Sequence, residues 1–326
     1  MSLLDKVSLL LTANAVKSSK LYSVIPEDGS GDLTLVRNTT ATRVNVNGID
    51  ESVGLNVPRL NYDSVGGEPS LLIETQRTNT LLNSATVVTQ SISTTAVVNT
   101  LSFTGTGTIT LSGTFTGSLV GTGANNRVNL IFTPTAGTLN LSVSGTCLKG
   151  QLEIGGYLSS NIPTLSAAVT RNADLFNKTD IYNNGFITNS GGTLFLHLIN
   201  NVPLLRDSNS RVLYLGDAAA NAGGNGFSII NVSGTAARLT FFKVINGSNI
   251  ALYTSVNDNL KIAIKWNGTT ADVFANGSKV VSQTAFTATQ LNFLYNTFGG
   301  CQKSSFKAIG LFPSPLVDSE CVNLTT

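Results

Sequence analysis

RVNLIFTPTAGTLNLSVSGT, residues 127–146, sets Val128, Leu130 and Phe132 and then Leu139, Leu141 and Val143 at a spacing of two. Side chains alternate faces along a strand, so this spacing marks antiparallel strands with one buried face, separated by Gly turns. The preceding run TGTITLSGTFTGSLVGTG, residues 106–123, repeats the pattern with almost no charge. Its glycines Gly105, Gly107, Gly121 and Gly123 invite comparison with a phosphate-cradling loop. No G-x-G-x-x-G opens into a helix here and no G-K-[ST] follows, so they read as turn glycines.

Downstream, β-like runs recur every eight to twelve residues, among them TLFLHLIN, RVLYLGD, LKIAIKW and KAIGLFP. Asn276-Gly277, between ADVFA and SKVV, carries the hairpin signal, because Asn-Gly accepts the positive φ angles of a type I′ turn. Leu194 to Ile199 is apolar on both faces, as inner strands of stacked sheets are. The reading is all-β: tandem antiparallel β-sandwiches at 81–170 and 171–326, the second of about eight strands, after a small loop-rich N-terminal unit at 1–80. That first zone holds short β-like runs, Leu33–Val36 and Thr42–Val46, between turn-rich segments, and needs a neighbour to bury its apolar side.

Composition supports this reading and excludes several functions. Charged residues are 12% of the 326, about half the ordinary share, and Thr, Ser, Asn and Gly favour turns and pleated surfaces. The net charge is +2 with no basic stripe, so no nucleic-acid partner is expected. No apolar run reaches the roughly 18 residues that span a bilayer. The start MSLLDKVSLLLTANA carries the small-x-small triplet Ala13-Asn14-Ala15, but its apolar run Val7 to Leu11 is short and Asp5 has the wrong sign for a signal peptide. Sequons such as Asn246-Gly247-Ser248 follow from composition. Cys147, Cys301 and Cys321 are odd in number and widely spaced, which indicates small buried residues in place of a disulfide framework or a zinc site.

Chemistry-bearing residues are sparse. His197 is the single histidine, shares a strand face with Phe195 and Ile199, and has no G-x-S-x-G serine to serve. Glu74, Glu153, Asp174, Asp180, Asp217 and Asp272 are the carboxylates from which a hydrolytic pair could be drawn, none within a distinctive motif. No calcium loop is present. The only tryptophan, Trp266, follows Ile262 and Ile264 at spacing two and reads as core in preference to a sugar platform; Tyr182, Tyr214 and Tyr253 are weaker candidates. The expectation is no catalytic residue, no metal, no cofactor and no nameable carbohydrate-binding residue. In LLIETQRTN, the residues after the apolar knot Leu71-Leu72-Ile73 carry more hydrogen-bonding capacity than a strand exit needs. Glu74, Gln76, Arg77 and Asn79 therefore read as a structural clasp that satisfies irregular backbone, with Arg77 drawn inward toward a carboxylate such as Glu74.

The same segment carries a resemblance. DGSGD at Asp28–Asp32, Arg37, TATRV at Thr40–Val44, NVPR at Asn56–Arg59, Tyr62-Asp63 and LLIETQRTN at Leu71–Asn79 together resemble a module of bacteriophage virion proteins. GQLEIGGYLSSNIPTLSAAVTRNAD, Gly150–Asp174, is similar to the hinge after a carbohydrate-module-like sandwich in such proteins. The last strands, residues 260–281 and 306–325, look like the end of a laminin-G or concanavalin-like jelly roll. The resemblance implies a head- or tail-fibre or decoration protein on the particle exterior, of a phage infecting gut Bacteroidota. It further implies lectin-like domains displayed outward. An N-terminal zone too irregular to fold well alone is expected to assemble the chain as a homotrimer and to attach it to other virion proteins, leaving the C-terminal jelly roll to bind host surface glycans. A phage-tail glycan depolymerase and a bacterial surface adhesin are the competing readings.

Overall fold

The computed structural model describes residues 2–17, 20–62, 66–199, 210–218, 224–231, 239–256, 259–287, 290–296 and 303–326. Cys301 and Asp63 lie outside the described residues. The chain is all-β and antiparallel, with one short helix at its end.

The apolar run of residues 194–199 lies in strand Gly192–Ile199, between Ser304–Phe312 and Asn259–Trp266. Leu194 stands opposite Leu311 on one side and Ile264 on the other. From Asn259–Trp266 the sheet continues to Thr270–Ala275 and Ser278–Ala285. In the other direction it runs through Leu9–Lys17, Lys20–Ile25, Leu33–Val36, Leu175–Lys178, Phe293–Tyr295, Ser210–Gly216, Gly226–Asn231 and Leu239–Ile245 to Ser248–Ser255. A twisted sheet of this many strands does not stay open, since beyond about ten it curls or splits into packed layers. Here the two ends fold over one another. Phe227 stacks on Phe286 at 4.3 Å and tilts against Trp266 at 5.3 Å between ring centroids. Near the edge, Lys243 Nζ donates to Thr284 Oγ1 at 2.8 Å.

Two hairpins in this sandwich turn on Asn-Gly. Asn276 and Gly277 have φ of 43° and 79°, and Asn246 and Gly247 have φ of 49° and 78°. Both pairs match a type I′ turn, whose twist suits the flanking strands. The second pair is also the sequon Asn246-Gly247-Ser248, and its turn chemistry explains why Asn and Gly stand there.

The first eighty residues are not a unit of their own. Leu9–Lys17 pairs with Ser304–Phe312 in register Leu9↔Leu311, and Pro69–Ile73 pairs with the same strand in register Leu71↔Phe306. Leu9, Leu11, Leu21, Leu33, Leu35, Leu71 and Ile73 belong to one buried core with Leu194, Phe227 and Trp266. The expectation of separate units at 1–80 and 171–326 is corrected accordingly: the larger sandwich is built from both. Short loop-rich strands gave no sign of their partner because pairing across more than two hundred residues leaves no local signal.

Between these two parts lies a second sandwich. Asn99–Gly105 is central to a three-stranded sheet with Gly123–Phe132 and Cys147–Ile154. A four-stranded sheet faces it, in the order Gly117–Val120, Thr108–Gly113, Gly137–Ser144, Gln90–Thr94. Leu101, Phe103, Ile109, Leu111, Leu139, Leu141 and Leu152 fill the space between. Val128, Leu130 and Val143 pack at its margin. The chain enters and leaves through a neck, where Arg77–Asn79 pairs with Val169–Arg171.

The tail, read as part of the last strands, is the helix Asp318–Thr325. Asp318 and Glu320 suit its N-terminal dipole, and Glu320 accepts from the Val317 backbone N–H at 3.2 Å. Cys321 seals a small cluster with Phe195, Ala263, Phe274, Phe312 and Leu316 on the outer face of the sheet. Burial pushes the Cys321 thiol up to about 12, and Cys147 is buried as well.

Candidate functional site

Five charged side chains meet where the neck joins the larger sandwich. Arg59 opens strand Arg59–Tyr62, Arg171 closes Val169–Arg171, and Glu74, Asp174 and Arg37 flank the ends of Pro69–Ile73, Leu175–Lys178 and Leu33–Val36. Strand ends are where ladders stop, so their backbone groups need other partners. Each of the five is at most 1% exposed.

Glu74 and Asp174 are the anions of this cluster. Glu74 Oε2 accepts from Arg59 Nη1 at 2.8 Å, from Arg171 Nη1 at 2.6 Å and from Ser160 Oγ at 2.6 Å. Its Oε1 accepts from the Ser160 backbone N–H at 2.9 Å. Asp174 Oδ1 accepts from Arg37 Nη1 at 2.7 Å, and Oδ2 accepts from Arg59 and from the Glu74 backbone N–H at 2.9 Å. Other guanidinium donors reach backbone carbonyls: Arg37 bonds Thr39, Gly54 and Val57, Arg59 bonds Thr42, and Arg171 bonds Thr75. The Nε of Arg59 and of Arg171 has no hydrogen-bond partner among the described residues. A buried ion pair is tolerable only when most of its lone pairs and protons are occupied. Burial alone would raise the Glu74 carboxyl, but Arg171 and Arg59, helped by Lys303 and the Ser160 hydroxyl, hold it far below the ordinary carboxylate range. Burial alone would lower Arg59, and Asp174 and Glu74 raise it instead.

A second layer ties the inserted sandwich to this cluster. All four hydrogen-bonding positions of the buried Asn79 amide are used. It donates to Gly150 O and Ile162 O at 3.0 and 2.8 Å and accepts from the N–H groups of Leu81 and Leu152 at 3.1 and 3.0 Å. Glu153 takes both the N–H and the hydroxyl of Ser159 at 3.0 and 2.6 Å. Arg77 lies 4.4 Å above the ring of Tyr157 and 3.7 Å from Glu153.

Of the four residues read as a clasp, Glu74 and Asn79 are fully buried and hydrogen-bonded, and Arg77 lies largely buried beside them, its side chain 12% exposed. Gln76 is exposed, with no side-chain hydrogen bond among the described residues. Alternation along the chain turns it outward. The expected Arg77–Glu74 pair is also corrected. Glu74 is claimed by Arg59 and Arg171, while Arg77 faces Glu153. Arg77→Ala removes a largely buried charge facing the buried Glu153 and a ring contact, and is expected to cost about 3 kcal/mol in urea denaturation.

The other candidates are dispersed. His197 is half-buried, its Nε2 2.9 Å from Asn259 Oδ1, and burial lowers its pKa. Trp266 is core, Tyr214 is buried against Tyr295, and Tyr182 and Tyr253 pack at the core margin. Asp180, Asp217 and Asp272 each hold a local turn or hairpin through Asn183, Asn225 and Gln283. Beside the charged cluster opens a cleft of about 270 Å³, walled by the hairpin of residues 41–53, the inserted sandwich and the segment 158–161.

No family model matches the chain, and no curated protein matches it in sequence. Among solved structures it is similar to the binding domain of botulinum neurotoxin DC in complex with rat synaptotagmin II. That likeness has 13% identity over 47% of this chain and 40% of that one, with a TM-score of 0.35. It is also similar to a Trypanosoma rangeli sialidase in complex with 2,3-difluorosialic acid, at 11% identity over 46% of this chain and 26% of that one, TM-score 0.35. A third likeness is to domain 4 of AbnA, an extracellular arabinanase from Geobacillus stearothermophilus, in complex with arabinotriose. Identity there is 11% over 53% of this chain and 81% of that one, TM-score 0.35. The match thus spans about two fifths of the toxin domain and a quarter of the sialidase, and concerns the fold.

Proposed function

We propose that this chain is a non-enzymatic structural protein of a phage virion, a head or tail fibre or decoration protein, that adheres to host surface glycans through lectin-like sandwich domains. The observation that carries the reading is where the virion-module residues fall. Arg37, Arg59 and Glu74 from the N-terminal motif and Ser160, Arg171 and Asp174 from the hinge motif converge on one buried cluster. Segments separated by the whole inserted sandwich are locked together there, which is the work of a scaffold. Glu74 is kept ionised by two arginines and has no proton to deliver as a general acid. Assembly as a homotrimer, with the N-terminal region against other virion proteins, belongs to the same proposal.

Gold-labelled antibody against the chain is expected to decorate the outside of purified particles, and the purified chain is expected to release no new reducing ends from host capsular polysaccharide. A chain missing from particles by both labelling and peptide mass spectrometry refutes the virion role. Sustained release of reducing ends favours the depolymerase.

A further inference from the structure

The scaffold reading leaves the cleft beside the cluster unexplained. Its volume of about 270 Å³ far exceeds the roughly 15 Å³ that one water needs, and lies near the lower end of small-ligand sites, about 300 Å³. The wall is polar and its charge is one-sided. Among the described residues, Arg43, Arg127, Lys149 and Lys303 line it against one carboxylate, that of Asp50. Two of these cations are answered: Arg43 pairs with Glu51, and Lys149 lies 3.0 Å from Asp50. Arg127 and Lys303 form no ion pair within 4 Å among the described residues; Glu153, Asp50 and Glu74 act on Arg127, and Lys303 acts on Glu74, only from further off.

Hydrogen bonding in the wall is incomplete as well. Arg127 donates from Nη1 to Ser159 O at 2.8 Å and from Nη2 to Ser102 Oγ at 3.0 Å. Its Nε is buried without a partner among the described residues, as is the side-chain oxygen of Asn161. Both atoms are enclosed, so the groups left for a ligand are the hydroxyls and amides of the lining, Thr42, Asn125, Ser160 and Asn161 among them, which sugar hydroxyls suit because each can both accept and donate. No aromatic ring lines the cleft among the described residues, so a neutral sugar would lack the stacking surface on which amphipathic ligands rest. Recognition falls to charge and hydroxyl bonding.

We propose that the cleft binds a saccharide bearing a carboxylate, with the carboxylate set against Lys303 and the Arg127 guanidinium and the ring hydroxyls meeting Asn161 and the hydroxyl side chains of the wall. The proposal rests on the adhesion reading for the class of ligand, a glycan, and places it at the junction of the two sandwiches. A carboxylate at an arginine and a lysine makes charge-assisted bonds, which are shorter and stronger than neutral ones.

The test titrates the full chain with D-glucuronate, D-glucose and acetate, by calorimetry and saturation-transfer NMR. Glucuronate is expected to bind at least about tenfold more tightly than glucose or acetate, the effect of one charge-assisted hydrogen bond. Lys303→Ala is expected to weaken glucuronate about tenfold at an unchanged melting temperature. Arg127→Lys, which keeps the charge and removes the planar guanidinium, is expected to weaken it too. Acetate binding as tightly as glucuronate means a simple anion site and overturns the proposal. So does glucose binding equally well, or a Lys303→Ala chain with unchanged glucuronate affinity. Adhesion to host cells that neither glucuronate nor Lys303→Ala reduces overturns the cleft site and leaves the adhesion reading standing. Glucuronate binding by a chain that does not adhere to cells supports the cleft and overturns the adhesion reading.

Discussion

A fragment beginning at Asn172 is expected not to fold, whereas residues 80–168 are expected to fold by themselves. The first fragment keeps every strand from Leu175–Lys178 onward but loses the strands that cover one edge of Ser304–Phe312. Seven buried aliphatic side chains between Leu9 and Ile73 leave with them. At about 2 kcal/mol each, their burial is on the order of the whole stability of a domain, about 5 to 15 kcal/mol. The faces they covered, at Phe306, Ile309 and Leu311, turn to water beside an open backbone edge, and aggregation follows. Residues 80–168 carry a complete core between two sheets and enter and leave at adjacent points of the neck, Asn79 lying opposite Val169. Size-exclusion chromatography and thermal melts of both fragments provide the check. A monodisperse 172–326 fragment with a cooperative melt contradicts a discontinuous folding unit.

The all-β class was legible because period-two patterning and Asn-Gly turns are local, written within ten residues of the structure they specify. Leu194–Ile199 as an inner strand, Trp266 as core and Asn276-Gly277 as a turn all came from such windows. What stayed hidden was long-range. Nothing near Leu9 announces Leu311, and nothing near Arg59 announces Asp174. The clasp shows the same division. Its centre at Glu74 could be found because the apolar knot before it draws it inward, but its arginine partners come from positions 37, 59 and 171, on strands that only the fold brings together. A usable clue was available in their scarcity. In a chain with 12% charged residues, an arginine placed in the phase of buried strand positions, as Arg59 is with the largely buried Asn61, has to have an anion waiting for it. Gln76 was included by proximity alone, and alternation placed it outside. The final helix gave little warning, since its residues alternate small and polar types with no strong apolar stripe.

Glu74→Gln is expected to destabilise the protein by about 3 to 5 kcal/mol, because breaking a buried ion pair from one side strands the other charge. The cluster holds three arginines and two carboxylates. Losing Glu74 leaves Arg59 and Arg171 facing each other across a neutral amide, with Asp174 alone to answer three cations. Arg59→Met breaks the same contact from the other side and is expected to cost less than Glu74→Gln, because the cluster then holds two arginines and two carboxylates and strands no charge. After it, Asp174 keeps Arg37 and Glu74 keeps Arg171, so every remaining charge has a partner. Acid separates the effects further. The Glu74 carboxyl lies far below its ordinary value in the folded chain and at about 4.3 in the unfolded one. Its contribution is therefore fully present above pH ~5 and is lost as pH falls toward the lower folded value. Urea denaturation of wild type and Glu74→Gln at steps from pH 7 to 2.5 should show two stability curves that are far apart at neutral pH and approach each other below about pH 4. Acid-sensitive groups elsewhere, such as Asp32 with Lys20, act on both proteins alike and leave the difference untouched. Parallel curves across that range, or an Arg59→Met variant less stable than Glu74→Gln, would show that the arginines do not depend on Glu74 for their charge balance.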